Sequence, residues 1–156
     1  MNHSYEILKK KISGFNRRQQ SEADFWKILK REKIMLVTWK MPEGGKAFYG
    51  INRKGRRVFR FIVMDEDLFA SGDWLKTAFH EVVHHFLHVP GSKLKVYWSR
   101  SGEQGRHDRQ ADMFALVMRI PLPYFIELCE TPFDQITQFT KEELIERKRI
   151  YETYKF

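Results

Sequence analysis

The sequence predicts an α+β fold, with a small antiparallel sheet packed beside a helical layer. Residues 34–40, 47–51 and 58–64 are rich in β-branched and aromatic side chains and are separated by turn residues, which is typical of strands. Apolar residues recur at helical spacing before and after this region. With 156 residues, of which 42% are hydrophobic, the chain is long enough to bury a core. We therefore predict one domain over residues 1–156.

Two helices are predicted in residues 1–33. The first covers residues 5–12 and ends at Gly14. The second begins at Ser21, whose hydroxyl can cap the helix, and Asp24 three residues later approximates a capping box. These helices precede the predicted sheet.

The predicted sheet occupies residues 34–64. Pro42 and the two glycines that follow it mark one turn, and Lys54 with Gly55 marks the next. Because the three strands follow one another through short turns, we expect an antiparallel meander.

Residues 71–120 are predicted to carry two helices and the loop between them. The first helix starts at 71–73 and runs to about residue 88, where a Val-Pro-Gly segment stops it. The connection 91–104 is basic and contains a candidate short strand at 94–98. The second helix covers 103–119.

Residues 121–156 are predicted to be helical. Thr140 followed by Glu143 forms a capping box, which begins a last helix that runs toward Tyr154. A helical segment of this kind completes the layer beside the sheet.

Charge and cysteine content limit the class of protein. The formal net charge is +8 with a pI near 9.6, and the excess is concentrated in residues 1–110, which favours an acidic partner. Cys129 is the single cysteine, so an intramolecular disulfide and a cysteine-based zinc cluster are both excluded. The chain starts without an apolar signal sequence, and no apolar run approaches the roughly 18 residues of a membrane span. We expect a soluble cytoplasmic protein with no membrane association.

The segment 80–84 reads His-Glu-Val-Val-His, an H-E-x-x-H pattern on a predicted helix. Residues four apart share a helical face, so the imidazoles of His80 and His84 can reach one ion. Neutral imidazoles suit a borderline cation such as zinc. Glu81 lies beside the first imidazole and can take a proton from an attacking water and return it to a leaving amine. The pattern predicts a metal site with Glu81 as its catalytic residue.

A catalytic zinc site needs a third protein ligand. Asp108 is the favoured candidate, with His107 and Glu103 as alternatives. Asp112 lies four residues after Asp108 on the same helical face, within an apolar run. Its carboxylate can accept the N–H of a metal-bound imidazole and fix the tautomer of that imidazole. The alternative is that both aspartates are surface groups.

The two other histidines of the first helix are weaker candidates. His88 follows His84 by four residues but lies two turns from His80, about 12 Å away, which is too far to share one ion. We expect His88 and His85 to be partly exposed or hydrogen-bonded at the helix end. His107 or Tyr97 is also a candidate donor to an oxyanion.

The two motifs together resemble the ImmA/IrrE family of small metallo-endopeptidases. That family pairs HExxH with a downstream E-x-x-A-[D/N]-x-F-A-x-x-L-L-M-P pattern, and residues 108–121 here read D-R-Q-A-D-M-F-A-L-V-M-R-I-P without a gap. The resemblance implies a zincin-like active-site helix, with zinc held by His80, His84 and Asp108 and with Glu81 as general base. It also implies regulated cleavage of a helix-turn-helix transcriptional repressor that controls a mobile element or a stress response.

The sequence departs from that family at several positions. Aspartate stands at position 108 where glutamate is usual, so the two helices must approach more closely or hold the metal more loosely. Val83 replaces a common glycine, and its β-branched side chain narrows the space beside the ligands. Met118, Arg119 and Ile120 replace the Leu-Leu-Met before the proline.

A second interpretation is a basic nucleic-acid-associated module in which the metal site is structural or degenerate. It rests on basic clusters interleaved with aromatic residues that could stack on bases. A protease that acts on DNA-bound proteins would combine both interpretations. Alternatively, the basic residues are ordinary solvated surface and the aromatic residues belong to the core, with no role in DNA binding. The residues concerned are 9–11, 17–18, 53–57, Trp39, Phe48 and Tyr49.

Overall fold

The computed structural model describes residues 1–42, 44–88 and 105–156, together with the backbone of residues 95–96. The predicted α+β class is confirmed, since helices flank a small sheet in the described part of the chain. The helices are α1 (Asn2–Lys11), α2 (Glu22–Glu32), α3 (Glu66–Ser71), α4 (Trp74–Leu87), α5 (Arg106–Arg119), α6 (Leu122–Glu130) and α7 (Lys141–Tyr154), with a 3-10 turn at Phe133–Gln135. The strands are β1 (Ile34–Trp39), β2 (Ala47–Lys54), β3 (Arg57–Asp65) and β4 (Lys95–Val96).

The sheet is mixed, so the predicted antiparallel meander is wrong. The strand order is β1-β3-β2-β4, and β1 runs parallel to β3 with Ile34 opposite Arg60. Only the β2–β3 and β2–β4 pairs are antiparallel.

Two features account for this order, one local and one that involves a distant segment. A two-residue turn at Gly55 and Arg56, with Gly55 at φ +61°, ties β2 to β3 as a hairpin. The other edge of β2 pairs with β4, so β1 pairs with the remaining edge of the hairpin, at β3. The seven-residue connection 40–46 can span roughly 23 Å, more than the ~10 Å needed to cross one strand.

The acidic residues at the end of β3 begin a helix that the sequence did not predict. Asp65 Oδ1 accepts hydrogen bonds from the backbone N–H groups of Asp67 and Leu68, at 3.1 Å each. An aspartate that satisfies these free N–H groups stabilises a helix start. The short helix α3 follows directly and leads into α4.

Both predicted capping boxes are present. Ser21 and Asp24 cap α2, and Thr140 and Glu143 cap α7, each with the reciprocal side-chain and backbone hydrogen bonds. Of the candidate strand 94–98, only residues 95–96 lie in the described part of the chain, where they form β4.

Helix α4 lies at the centre of the molecule. Tyr49, Ile62 and Met64 from the sheet are fully buried, as are Phe79 and Val82 of α4. On its other side α4 packs against α5. The H-E-x-x-H segment is therefore held between the sheet and a second helix, so its side chains have little rotational freedom.

Candidate metal centre

The two histidines of the H-E-x-x-H segment face each other on α4. The Nε2 atoms of His80 and His84 are 2.9 Å apart, as expected for residues one helical turn apart. Both residues are buried, at 7% and 1% exposure. The imidazoles therefore present a pair of nitrogen atoms to one point.

Helix α5 brings Asp108 to the same point. Asp108 Oδ1 is 3.2 Å from His84 Nε2, and one ligand atom from each of His80, His84 and Asp108 lies within 4.8 Å of the others. Ligands at about 2.1 Å from a tetrahedral ion are ~3.4 Å apart. The three residues could therefore hold a metal ion with small side-chain adjustments.

Asp112 lies one turn after Asp108 and contacts the other imidazole. Its Oδ1 is 2.7 Å from His80 Nδ1, and its side chain is 47% exposed. Burial lowers the pKa of His80, but the hydrogen bond to Asp112 and the charges of Glu81, Asp112 and Asp108 outweigh it, so the pKa is raised. A carboxylate here accepts the Nδ1–H and leaves Nε2 turned toward His84.

His84 is held in its neutral form. Burial lowers its pKa to about 2, and the charges of His80, His88 and His107 act in the same direction. A neutral imidazole is the form that binds a metal, because a ligand nitrogen must carry a lone pair.

Glu81 is buried beside these groups. The residue is 1% exposed, and among the described residues its Oε2 has no hydrogen-bond partner. Burial raises its pKa to about 7, although the charge of His80 and a backbone hydrogen bond from Tyr49 oppose this. A carboxyl group whose pKa lies near neutrality can both accept and donate a proton at physiological pH.

A cleft of about 960 Å³ opens over the site. His80, Glu81, Asp108 and Asp112 line it. Its volume is within the range of sites that bind ligands in proteins. The rest of the wall combines uncharged side chains with charged residues of both signs, which are Lys46, Lys76, Arg106, Arg109, Glu142, Glu143, Glu146 and Arg149.

Of the two roles expected for His88, partly exposed or hydrogen-bonded, the second is found, since the residue is buried at 5% exposure. It is hydrogen-bonded, with its Nδ1 3.0 Å from His84 Nδ1 and its Nε2 2.8 Å from Gln110 Oε1. Gln110 was not among the site residues predicted from the sequence. Its position two residues after Asp108, on the helix that faces α4, is the only signal for it.

His85 points away from the three-residue group. Its Nδ1 is 2.9 Å from the hydroxyl oxygen of Tyr49, and its Nε2 is 3.4 Å from Glu32 Oε2. Burial lowers the pKa of His85 despite the opposing carboxylate of Glu32. The hydrogen-bonded role expected for His85 agrees with these contacts.

The other residues singled out in the sequence do not join the three-residue group in the described part of the chain. His107 is exposed and stacks on His88, with ring centroids 4.4 Å apart, and it is not in the three-residue group. Glu103 and Tyr97 lie outside the described residues. Val83 is fully buried in the core.

The basic and aromatic residues of the second interpretation do not all reach the surface. Tyr49 is fully buried and cannot stack on a base, whereas Trp39 is 65% exposed. Residues 53–57 are exposed on the β2–β3 hairpin, and residues 9–11 are exposed at the end of α1.

Comparisons with known proteins do not identify a relative. No family model, no curated protein and no solved structure matches the chain. Among the described residues, no helix is both long enough and apolar enough to cross a membrane.

Proposed function

We propose that this protein is a zinc-dependent endopeptidase that hydrolyses a peptide bond in a specific protein partner. The observation that carries the proposal is the convergence of His80, His84 and Asp108 next to Glu81, whose buried Oε2 has no hydrogen-bond partner in the described part of the chain. A structural metal site would not need a carboxyl group of near-neutral pKa that lines an open cleft.

The donor set supports zinc as the metal. Two imidazole nitrogens and one carboxylate oxygen are a ligand set of catalytic zinc sites, which keep a further position open. Bound zinc would polarise the scissile carbonyl and stabilise the negative charge that develops on its oxygen. The cleft, which His80, Glu81 and Asp108 line, would give a substrate access to a metal ion held there.

Glu81 is assigned the proton transfers. Its carboxylate takes a proton from the attacking water and then delivers that proton to the amide nitrogen of the leaving group. Asp112 keeps His80 oriented through the 2.7 Å contact with Nδ1.

The substrate class follows from the resemblance of residues 80–84 and 108–121 to the ImmA/IrrE family. We propose a helix-turn-helix transcriptional repressor as the substrate. The positive charge of the β2–β3 hairpin would suit a substrate that is cleaved close to DNA.

Co-expression with repressors encoded by neighbouring genes tests the proposal. Repressor fragments should accumulate with the wild-type protein and be absent with Glu81→Gln, because the amide cannot accept the proton of the attacking water. Metal analysis should give about one zinc ion per chain for both proteins, since Glu81 is not among the ligands. Glu127→Gln, an exposed substitution of the same kind on α6, serves as the matched control. Full cleavage by Glu81→Gln, or purified protein without zinc, would contradict the proposed function.

A further inference from the structure

We propose that His88 and Gln110 are positioning residues that fix the tautomer of His84, so that its Nε2 lone pair faces the metal. This inference rests on the metal site of the proposed function. It concerns two residues outside the H-E-x-x-H segment, and it is carried by a continuous chain of hydrogen bonds.

The series of hydrogen bonds starts at His84 and ends on α1. His84 Nδ1 is 3.0 Å from His88 Nδ1, and His88 Nε2 is 2.8 Å from Gln110 Oε1. The amide nitrogen of Gln110 is 3.1 Å from Ser4 Oγ and 3.3 Å from Met1 Sδ. These contacts connect α4, α5 and α1.

The contacts of Gln110 with α1 determine which atoms donate along this series of hydrogen bonds. A thioether sulfur accepts a hydrogen bond and has no proton to donate. The Gln110 group that faces Met1 is therefore the NH₂ donor, and the Gln110 oxygen faces His88. An amide oxygen only accepts, so His88 must donate from Nε2.

The tautomer of His84 follows from that of His88. A neutral His88 protonated at Nε2 has its lone pair at Nδ1, where it can only accept. The proton between the two Nδ1 atoms then belongs to His84, and the lone pair of His84 lies on Nε2. That atom is 2.9 Å from His80 Nε2 and 3.2 Å from Asp108 Oδ1.

Each imidazole of the site thus has its own acceptor. His80 donates to the carboxylate of Asp112, whereas His84 donates to a neutral imidazole backed by an amide. His84 and His88 are both buried, so bulk water has little access to replace that acceptor. A neutral acceptor also adds no further negative charge beside Glu81, Asp108 and Asp112.

Zinc affinity, measured by competition with a chromophoric chelator, tests the inference. His88→Phe keeps a ring of similar size but removes the acceptor, and zinc binding should weaken about 10- to 100-fold. His85→Phe makes the same change at the adjacent position, outside the site, and should bind zinc as the wild type does. Melting of the metal-free proteins, followed by circular dichroism, verifies that both variants fold.

Substitutions at Gln110 separate hydrogen bonding from packing. Gln110→Leu removes the acceptor for His88 and should weaken zinc binding. Gln110→Glu keeps an acceptor oxygen and should bind zinc about as tightly as the wild type. Long-range ¹H–¹⁵N NMR of the zinc-loaded protein reads the tautomers directly. The wild type should show His88 protonated at Nε2, and Gln110→Leu should show a mixture of tautomers.

The outcomes distinguish the two proposals. Wild-type protein that binds no zinc would overturn both the proposed function and the role of His88. Tight zinc binding by the wild type with equal affinity in a folded His88→Phe variant, or a His88 protonated at Nδ1, would overturn only the positioning role.

Discussion

The buried carboxyl group of Glu81 should make the metal-free protein less stable as the pH rises. The folded protein holds the Glu81 proton up to about pH 7, whereas the unfolded chain releases it near its ordinary pKa of 4.5. Between these two values the folded state binds more protons, so the free energy of unfolding falls with increasing pH. Above about pH 7 this contribution is constant.

The size of the effect follows from the difference in pKa. The difference between the native pKa of about 7 and the ordinary pKa of 4.5 corresponds to about 3 kcal/mol, at about 1.4 kcal/mol for each pKa unit. Glu81→Gln keeps the shape of the side chain and cannot ionise. The variant should therefore match the wild type at pH 4.5 and exceed its stability by about 3 kcal/mol at pH 8.

Urea denaturation in the presence of EDTA, at pH 4.5 and pH 8, measures this difference. Titrating groups that do not interact with Glu81 are common to both proteins and cancel in the comparison, whereas His80, whose pKa the charge of Glu81 raises, is coupled to the substitution. Glu127→Gln removes an exposed carboxylate, and its stability difference from the wild type should stay nearly constant with pH. Added zinc should narrow the gap between Glu81→Gln and the wild type, because a nearby dication favours the ionised carboxylate.

A stability difference between Glu81→Gln and the wild type that does not grow from pH 4.5 to pH 8 would refute the reasoning. It would mean that the carboxylate is solvated in the native protein. The near-neutral pKa would then no longer support the assignment of Glu81 as the residue that transfers protons.

Three further predictions address the ligand set, the fold and the sheet. Asp108→Asn should weaken zinc binding at least about 100-fold, because a zinc-binding free energy on the order of 10–16 kcal/mol shared among three protein ligands is at least ~3 kcal/mol for each; unchanged affinity in the chelator assay would remove Asp108 from the ligand set. Asp24→Asn should cost about 1–2 kcal/mol at pH 7, since the hydrogen bond from Arg18 holds the pKa of Asp24 far below its usual range. That loss should begin to shrink as the pH falls below about 4, where the unfolded chain takes up the proton, and should disappear only when the native carboxylate, whose pKa is far lower, is protonated as well; a urea midpoint gap that is the same at pH 2 as at pH 7 would count against it. Gly50→Ala should cost about 1–2 kcal/mol in thermal melts, because the added Cβ would lie 2.4 Å from the ring of Phe61; an equal cost in a Phe61→Ala background would show that this clash is not the cause.

The sequence predicts the local elements well where one short segment determines them. The two capping boxes and the α4 helix arise from contacts between residues a few positions apart, which are visible in the sequence. The order of strands also involves β4 at residues 95–96, which lies far along the chain from β1 and occupies the other edge of β2. A pairing set by a distant segment has no local signal.

The same distinction applies to the candidate site. The spacing of His80 and His84 predicts that they share one face of α4, and the spacing of Asp108 and Asp112 predicts the same for α5. Helical periodicity does not determine which side chains of one helix contact which side chains of the other. The contact between His88 and Gln110 depends on the vertical offset of α4 against α5, and for that reason only the structure reveals it.

The short side chain at position 108 raises the question of how an aspartate reaches the histidines of another helix. The contacts of Asp108 and Asp112 with His84 and His80 show that this face of α5 is turned toward α4. Ala111 and Ala115 lie at helical spacing from Asp108 on the same face, and both are buried. Small side chains let two helix axes approach more closely, toward the lower end of the 8–10 Å range. The reach of the short Asp108 side chain, whose Oδ1 lies 3.2 Å from His84 Nε2, is consistent with close packing of α4 against α5 at these alanines.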